Sequence, residues 1–129
     1  MMMIANPPIE TKALPIFNKE KDILCKKYRY LSGDFNTVLS VIIESPSANR
    51  ISIAVSDLSK KVTLPVFKVK KFKSKDFPNK GLDSGFRIIY MYDPGNLSLY
   101  FIEIYHKNHK SEMDRERVKK LFDNDGNLI

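Results

Sequence analysis

The stretch Asp83-Ser84-Gly85-Phe86-Arg87-Ile88-Ile89-Tyr90-Met91-Tyr92-Asp93-Pro94-Gly95-Asn96-Leu97-Ser98-Leu99-Tyr100-Phe101-Ile102-Glu103-Ile104-Tyr105-His106 reads as a β-hairpin. Both arms are rich in aromatic and β-branched residues, and Asp-Pro-Gly-Asn between them is a turn signal. Proline presets φ at the second turn position, and Gly95 supplies the positive φ that a type II turn needs at the third. In the first arm Phe86, Ile88, Tyr90 and Tyr92 share one face, with Arg87, Ile89 and Met91 on the other. In the second arm Tyr100, Ile102 and Ile104 oppose Leu99, Phe101, Glu103 and Tyr105.

Working toward the N-terminus, Val62 to Lys73 is a third strand; within it Phe67-Lys68-Val69-Lys70 alternates apolar with basic. Residues 73–84 form a loop. Ile51 to Val55 alternates as well and is a candidate short strand in a long connection. Before it, Asn18 to Leu31 and Asp34 to about Ser45 carry helical spacing, with Ile23, Leu24, Tyr28 and Leu31, then Phe35, Val38, Leu39 and Ile42, on their inner faces. Gly33 ends the first helix, Asp34 caps the second, and Ser45-Pro46 stops it. The short link makes an antiparallel helical hairpin. Thr11 to Phe17 is a candidate edge strand containing Pro15. After the β-hairpin, Ser111 starts a last helix that Val118, Leu121 and Phe122 dock. The expected fold is α+β, a helical hairpin packed on a small, mainly antiparallel twisted sheet in the order β-α-α-β-β-β-α. The expected organisation is a single domain over 1–129, with 1–10 and 123–129 flexible.

The chain has 129 residues, long enough to bury roughly two-thirds of its unfolded surface in one core. Its single cysteine, Cys25, excludes an intrachain disulfide framework; it reads as a small filler on a helix. No apolar run approaches a membrane span, and Met1 to Pro8 has neither the basic nor the apolar region of a signal peptide. A soluble cytoplasmic protein is the expectation. The formal charge is +7. Residues 60–80 hold Lys60, Lys61, Lys68, Lys70, Lys71, Lys73, Lys75 and Lys80 against Asp76, which accounts for all of it; elsewhere the charges cancel. A concentrated basic stripe suits a phosphate-binding surface, and equally a solvated lysine-rich strand and loop.

Three pieces of sequence, in order, carry a resemblance. They are Phe67-Lys68-Val69-Lys70, then Ser84-Gly85-Phe86-Arg87-Ile88-Ile89-Tyr90, then Ile102-Glu103-Ile104-Tyr105-His106-Lys107 followed by Glu112 to Lys120. Together with the helical hairpin, over roughly 16–122, they resemble the RelE/ParE superfamily of toxins from two-gene toxin–antitoxin modules. The resemblance implies a metal-independent endoribonuclease without cofactor, acting on mRNA at the ribosome and neutralised by a cognate antitoxin. ParE-like members instead poison DNA gyrase, and a non-catalytic basic nucleic-acid-binding module is a further alternative.

In such a ribonuclease the ribose 2′-OH attacks its own phosphodiester, and fixed cations stabilise the charge that develops on phosphorus-bound oxygens. Lys68 and Lys70 share one strand face, and Arg87 on the neighbouring strand points the same way, so the three can converge on one phosphate. The resemblance places Lys68 and Lys70 at the family's strand cations, Arg87 at its phosphate-clamping arginine and Lys107 at a basic position closing the last strand. The two lysines also fit a plain polar face, and Arg87 fits a cross-strand pair with Glu103. His106 and His109 are the natural proton shuttles, and both also fit an exposed loop. Met113 stands where some members carry a tyrosine. Tyr105 is a substitute, and Lys68, held among cations, is a further candidate base. Lys71, Lys73, Lys75 and Lys80 are the expected RNA-binding loop. Two histidines without a nearby cysteine make a poor zinc set, so no metal is expected.

Overall fold

The structure, a computed structural model, describes residues 8–129. Its elements are β1 (Glu10–Ala13), α1 (Pro15–Lys27), α2 (Leu31–Glu44), β2 (Ser52–Ala54), β3 (Val66–Val69), β4 (Phe86–Asp93), β5 (Ser98–His106) and α3 (Arg115–Lys119). The fold is α+β, with a five-stranded mixed sheet in the order β1-β5-β4-β3-β2. Only the β1–β5 pair is parallel. No helix among the described residues is long and apolar enough to cross a membrane.

Pro15 sits at the start of α1 instead of inside a strand. Its fixed φ and missing N–H suit the first helical turn, where that donor has no intrahelical partner. The first strand therefore ends at Ala13, and α1 runs three residues earlier than its spacing predicts, ending at Lys27. Helix α2 also begins early, at Leu31, with Gly33 inside its first turn. Asp34 is not its cap: the carboxylate is buried and accepts the Lys75 N–H at 2.9 Å, which ties the 70–84 loop to the helix. Strand β3 is shorter than the expected 62–73. Pro65 lacks a ladder donor, and both Lys70 and Lys71 donate their N–H to the Ile51 carbonyl (2.8 and 3.2 Å), turning the chain out of the ladder.

The turn after β4 departs from the type II expectation. Gly95 does not adopt positive φ; Leu97 does, at 48°. The Asp93 carboxylate holds the turn by accepting from Asn96 N and Nδ2 (3.3 and 2.7 Å). Helix α3 starts at Arg115, later than Ser111, because Asp114 is its N-cap and accepts from Arg117 N at 3.1 Å.

Both sheet faces are covered. On the first, Phe17, Leu31, Phe35, Val38 and Ile42 of the helical hairpin pack on Phe67, Val69, Ile88, Tyr90, Leu99, Phe101 and Ile104. On the second, Met113, Val118 and Phe122 pack on Val66, Ile89, Met91, Ile102 and Tyr105. The alternation expected for β5 holds only to Phe101. There the register shifts: Tyr90 faces Phe101 but Ile89 faces Glu103, so Ile102 is an extra residue. This bulge puts Ile102 in the second core and Ile104 in the first, where simple alternation would put them together.

The described ends of the chain are tied down by hydrogen bonds. Of residues 1–10, 1–7 lie outside the described residues, while Glu10 donates its N–H to the Leu97 carbonyl at 2.9 Å. Within 123–129, Asp123 N bonds to Asn127 O (2.8 Å), Ile129 N to Leu121 O (2.9 Å), and the Thr63 hydroxyl to Gly126 O (2.7 Å).

Candidate functional site

Strands β3 and β4 pair with Lys68 opposite Ile89 and Val69 opposite Ile88. The next step brings Lys70 level with Arg87. The Arg87 Nη1 donates to the Lys70 carbonyl at 3.1 Å and to the Phe86 carbonyl at 3.2 Å. These bonds fix the guanidinium plane. Nε and Nη2 have no partner among the described residues, and neither does a carboxylate pair with Arg87. Glu103, the sequence alternative, is opposite Ile89, fully buried, and engaged by Lys110 Nζ and by Asp114 N at 2.8 Å.

Beyond β3 the chain leaves the ladder and opens a cleft of about 440 Å³ between β2, the 70–72 segment, the 82–83 turn and β4. Arg50, Lys70, Lys71 and Arg87 line it, with Asp83 as the one carboxylate. Lys107 lies 3.6 Å from that carboxylate and offsets it. Four cations against one already partnered carboxylate make a strongly positive concavity, in which the field is focused. An oxyanion entering it meets the free donors of Arg87, whose planar fork suits two oxygens at once.

The structure brings together part of the expected set. Lys70, Lys71 and Arg87 line the cleft, and Lys107 joins it through Asp83. Lys68 shares the sheet face but stands a step away, between Ile53 and Ile89 in the register, and does not line the cleft. Lys73, Lys75 and Lys80 are exposed on the following loop, also outside the lining.

The histidines are elsewhere. His106 is opposite Phe86, on the face covered by α1, whereas Arg87 is opposite Tyr105 on the other face. Its ring is buried and stacks on Phe77 and Tyr28, with centroids 5.0 and 5.7 Å away. Nε2 lies 2.8 Å from the Ser84 carbonyl, so it carries the proton; Nδ1 accepts from Asn108 N at 3.1 Å. Both nitrogens are engaged, and burial lowers the pKa from its ordinary value, partly offset by the Ser84 bond. His109 is exposed beside α1, its Nε2 3.1 Å from the Tyr28 hydroxyl and 3.2 Å from Lys27 Nζ. The strand period explains the separation: adjacent residues point to opposite faces, so Tyr105 and not His106 shares the face of Arg87. Tyr105 is largely buried, and burial, reinforced by the Glu103 charge, raises its pKa. Met113 is a core residue of the second face.

Gly85 is what lets this corner close. Its φ is +100°, and a Cβ there would lie 2.8 Å from the His106 ring and 2.9 Å from Lys107 Cγ. Its carbonyl accepts the Lys107 N–H at 2.9 Å. The glycine thus sets the start of β4, two residues before Arg87, against the end of β5.

Arg50 is the site residue that the charge count misses. It lies outside the basic 60–80 segment and reaches the cleft only because β2 pairs with β3 at the sheet edge. The alternation of 51–55 signals the strand, but nothing local signals its partner. The chain matches no protein-family model and no curated protein.

Proposed function

We propose that the chain is a RelE-like toxin of a toxin–antitoxin module, a metal-independent endoribonuclease that binds mRNA through the cleft of Arg50, Lys70, Lys71 and Arg87. The four-cation cleft carries this reading. The order of elements supports it: it is β-α-α-β-β-β-α with β2 added at the edge.

In the reaction the 2′-oxygen bonds to the adjacent phosphorus and the bond to the 5′-oxygen breaks. The products are a 2′,3′-cyclic phosphate and a 5′-hydroxyl; the proton lost from the 2′-oxygen is balanced by one gained at the 5′-oxygen. Arg87 holds two non-bridging oxygens, and Lys70, Lys71 and Arg50 oppose the charge that grows there. With both histidines outside the cleft, the proton transfers fall to its lysines or to water. The protein acts in the cytoplasm, with the ribosome and an acidic antitoxin as partners, the latter covering the basic face.

The test is incubation of the purified chain with mRNA in EDTA, with and without ribosomes. Cuts ending in cyclic phosphate that Arg87→Ala removes are expected; their absence overturns the reading. A second reading, ParE-like gyrase inhibition without cleavage, draws on His106 and His109 lying outside the lining of the cationic cleft. It predicts blocked supercoiling with RNA left intact.

A further inference from the structure

We infer that the cationic cleft also holds a subsite for one unpaired nucleobase, walled by Ile53 and Leu82, so that it takes single-stranded nucleic acid by base as well as by phosphate. This rests on the reading of the cleft as an RNA site and adds what that site recognises.

Ile53 and Leu82 are large aliphatic side chains left 49% and 51% exposed, and both line the same cleft as the four cations. A single exposed isoleucine or leucine is ordinary on a protein surface. Two of them in one small concavity lined by arginine and lysine are a different case. They add nothing to phosphate binding. A nucleotide presents the matching pair of surfaces, an apolar base face and, one sugar away, an anionic phosphate.

The walls and the cations are held on one frame. Lys70 N and Lys71 N both bond to the carbonyl of Ile51, two residues from Ile53, and Phe72 N bonds to the carbonyl of Leu82 at 2.9 Å. The segment that supplies the lysines therefore fixes both aliphatic walls. Gly81, at φ +57°, turns the chain just before Leu82. A cleft of about 440 Å³ falls within the usual range for a small-molecule site and suits one nucleotide, not a duplex. Bases inside a duplex keep their faces stacked, so only an unpaired base can meet Ile53 and Leu82. A free polyphosphate or an acidic peptide would engage the cations and leave the two side chains wet.

The test uses fluorescence anisotropy at fixed low salt. The probes are a labelled 2′-O-methyl oligoribonucleotide, which has no 2′-OH to cut, and an abasic strand of the same length. The wild-type chain is expected to prefer the base-bearing strand. Covering the exposed half of each aliphatic side chain corresponds to roughly three- to tenfold in affinity. The double variant Ile53→Ser, Leu82→Ser is expected to lose that preference and keep its affinity for the abasic strand, which doubles as the check that the cleft is still folded. Equal affinity of the wild type for the two strands overturns the base subsite and leaves the phosphate site standing. So does a preference that survives in the double variant, or a loss of both affinities together. Failure of the wild type to bind either strand overturns the RNA reading itself.

Discussion

At His106 the protonation state and the fold are coupled. The buried ring donates from Nε2 to Ser84 and accepts at Nδ1 from Asn108 N, so a second ring proton breaks the latter bond. Burial holds its pKa below 6.5, with nearby His109, Lys107 and Arg87 lowering it further. The unfolded chain therefore binds more protons than the native one as pH falls through 6.5. This contribution to stability is complete above 6.5 and is lost progressively toward and below the native pKa. Thermal melts from pH 7.5 to 5.0 are expected to fall more steeply for wild type than for His106→Gln. The variant is expected to be less stable at pH 7.5 but flatter; parallel curves would show that the ring does not titrate with unfolding. The sequence made this residue visible as a histidine at a strand end. Its role was not legible, because facing α1 or the cleft is decided by one step of strand phase.

Among the elements, α1 and α3 are joined by one ion pair. Arg117 donates Nη1 and Nη2 to the two Glu20 carboxylate oxygens at 2.8 and 2.9 Å, and Nη1 also to the Ile102 carbonyl at 2.9 Å. Its side chain is only 13% exposed, and the Glu20 bonds raise its pKa. Glu20→Ala leaves a mostly buried guanidinium short of acceptors and is expected to cost about 1–3 kcal/mol of stability by urea unfolding. Glu20→Gln is expected to recover part of that through one retained acceptor. The helical hairpin was legible from Phe35, Val38 and Ile42, and the docking of the last helix from Val118 and Phe122. Pro15 misled, since proline suits an edge strand and a helix start alike, and only the following turn decides between them. The Glu20–Arg117 pair was not legible at all: 97 residues separate its members.

For the whole molecule, the formal +7 predicts affinity for polyanions but not where they bind. The fold gathers part of that charge, plus Arg50, into one cleft and leaves Lys73, Lys75 and Lys80 spread along an outer loop. Each cation that meets a phosphate releases counterions, so single-strand affinity falls with salt by about 0.7 log units per contact. Arg87→Ala, which removes the direct phosphate contact, is expected to lower that slope by about 0.7, while Lys60→Ala, outside the cleft, leaves it unchanged. Equal slopes for the two variants would mean that no cleft organises the binding. The concentration of charge was readable from the residue count. The cleft was not, because it depends on β2 pairing across a long connection.

The extra residue at Ile102 makes β5 a strand written in two reading frames. Residues before it deliver their odd-numbered side chains to the helical hairpin, and residues after it deliver the even-numbered ones. Were Ile102 paired with Ile89 in the ladder instead of bulged out of it, the later half would slip by one position. Glu103 would then be pressed among the aromatics under α1, and Ile104 would be turned to the opposite layer. The choice between pairing and bulging that one residue thus decides which layer receives a buried charge and which stays oily.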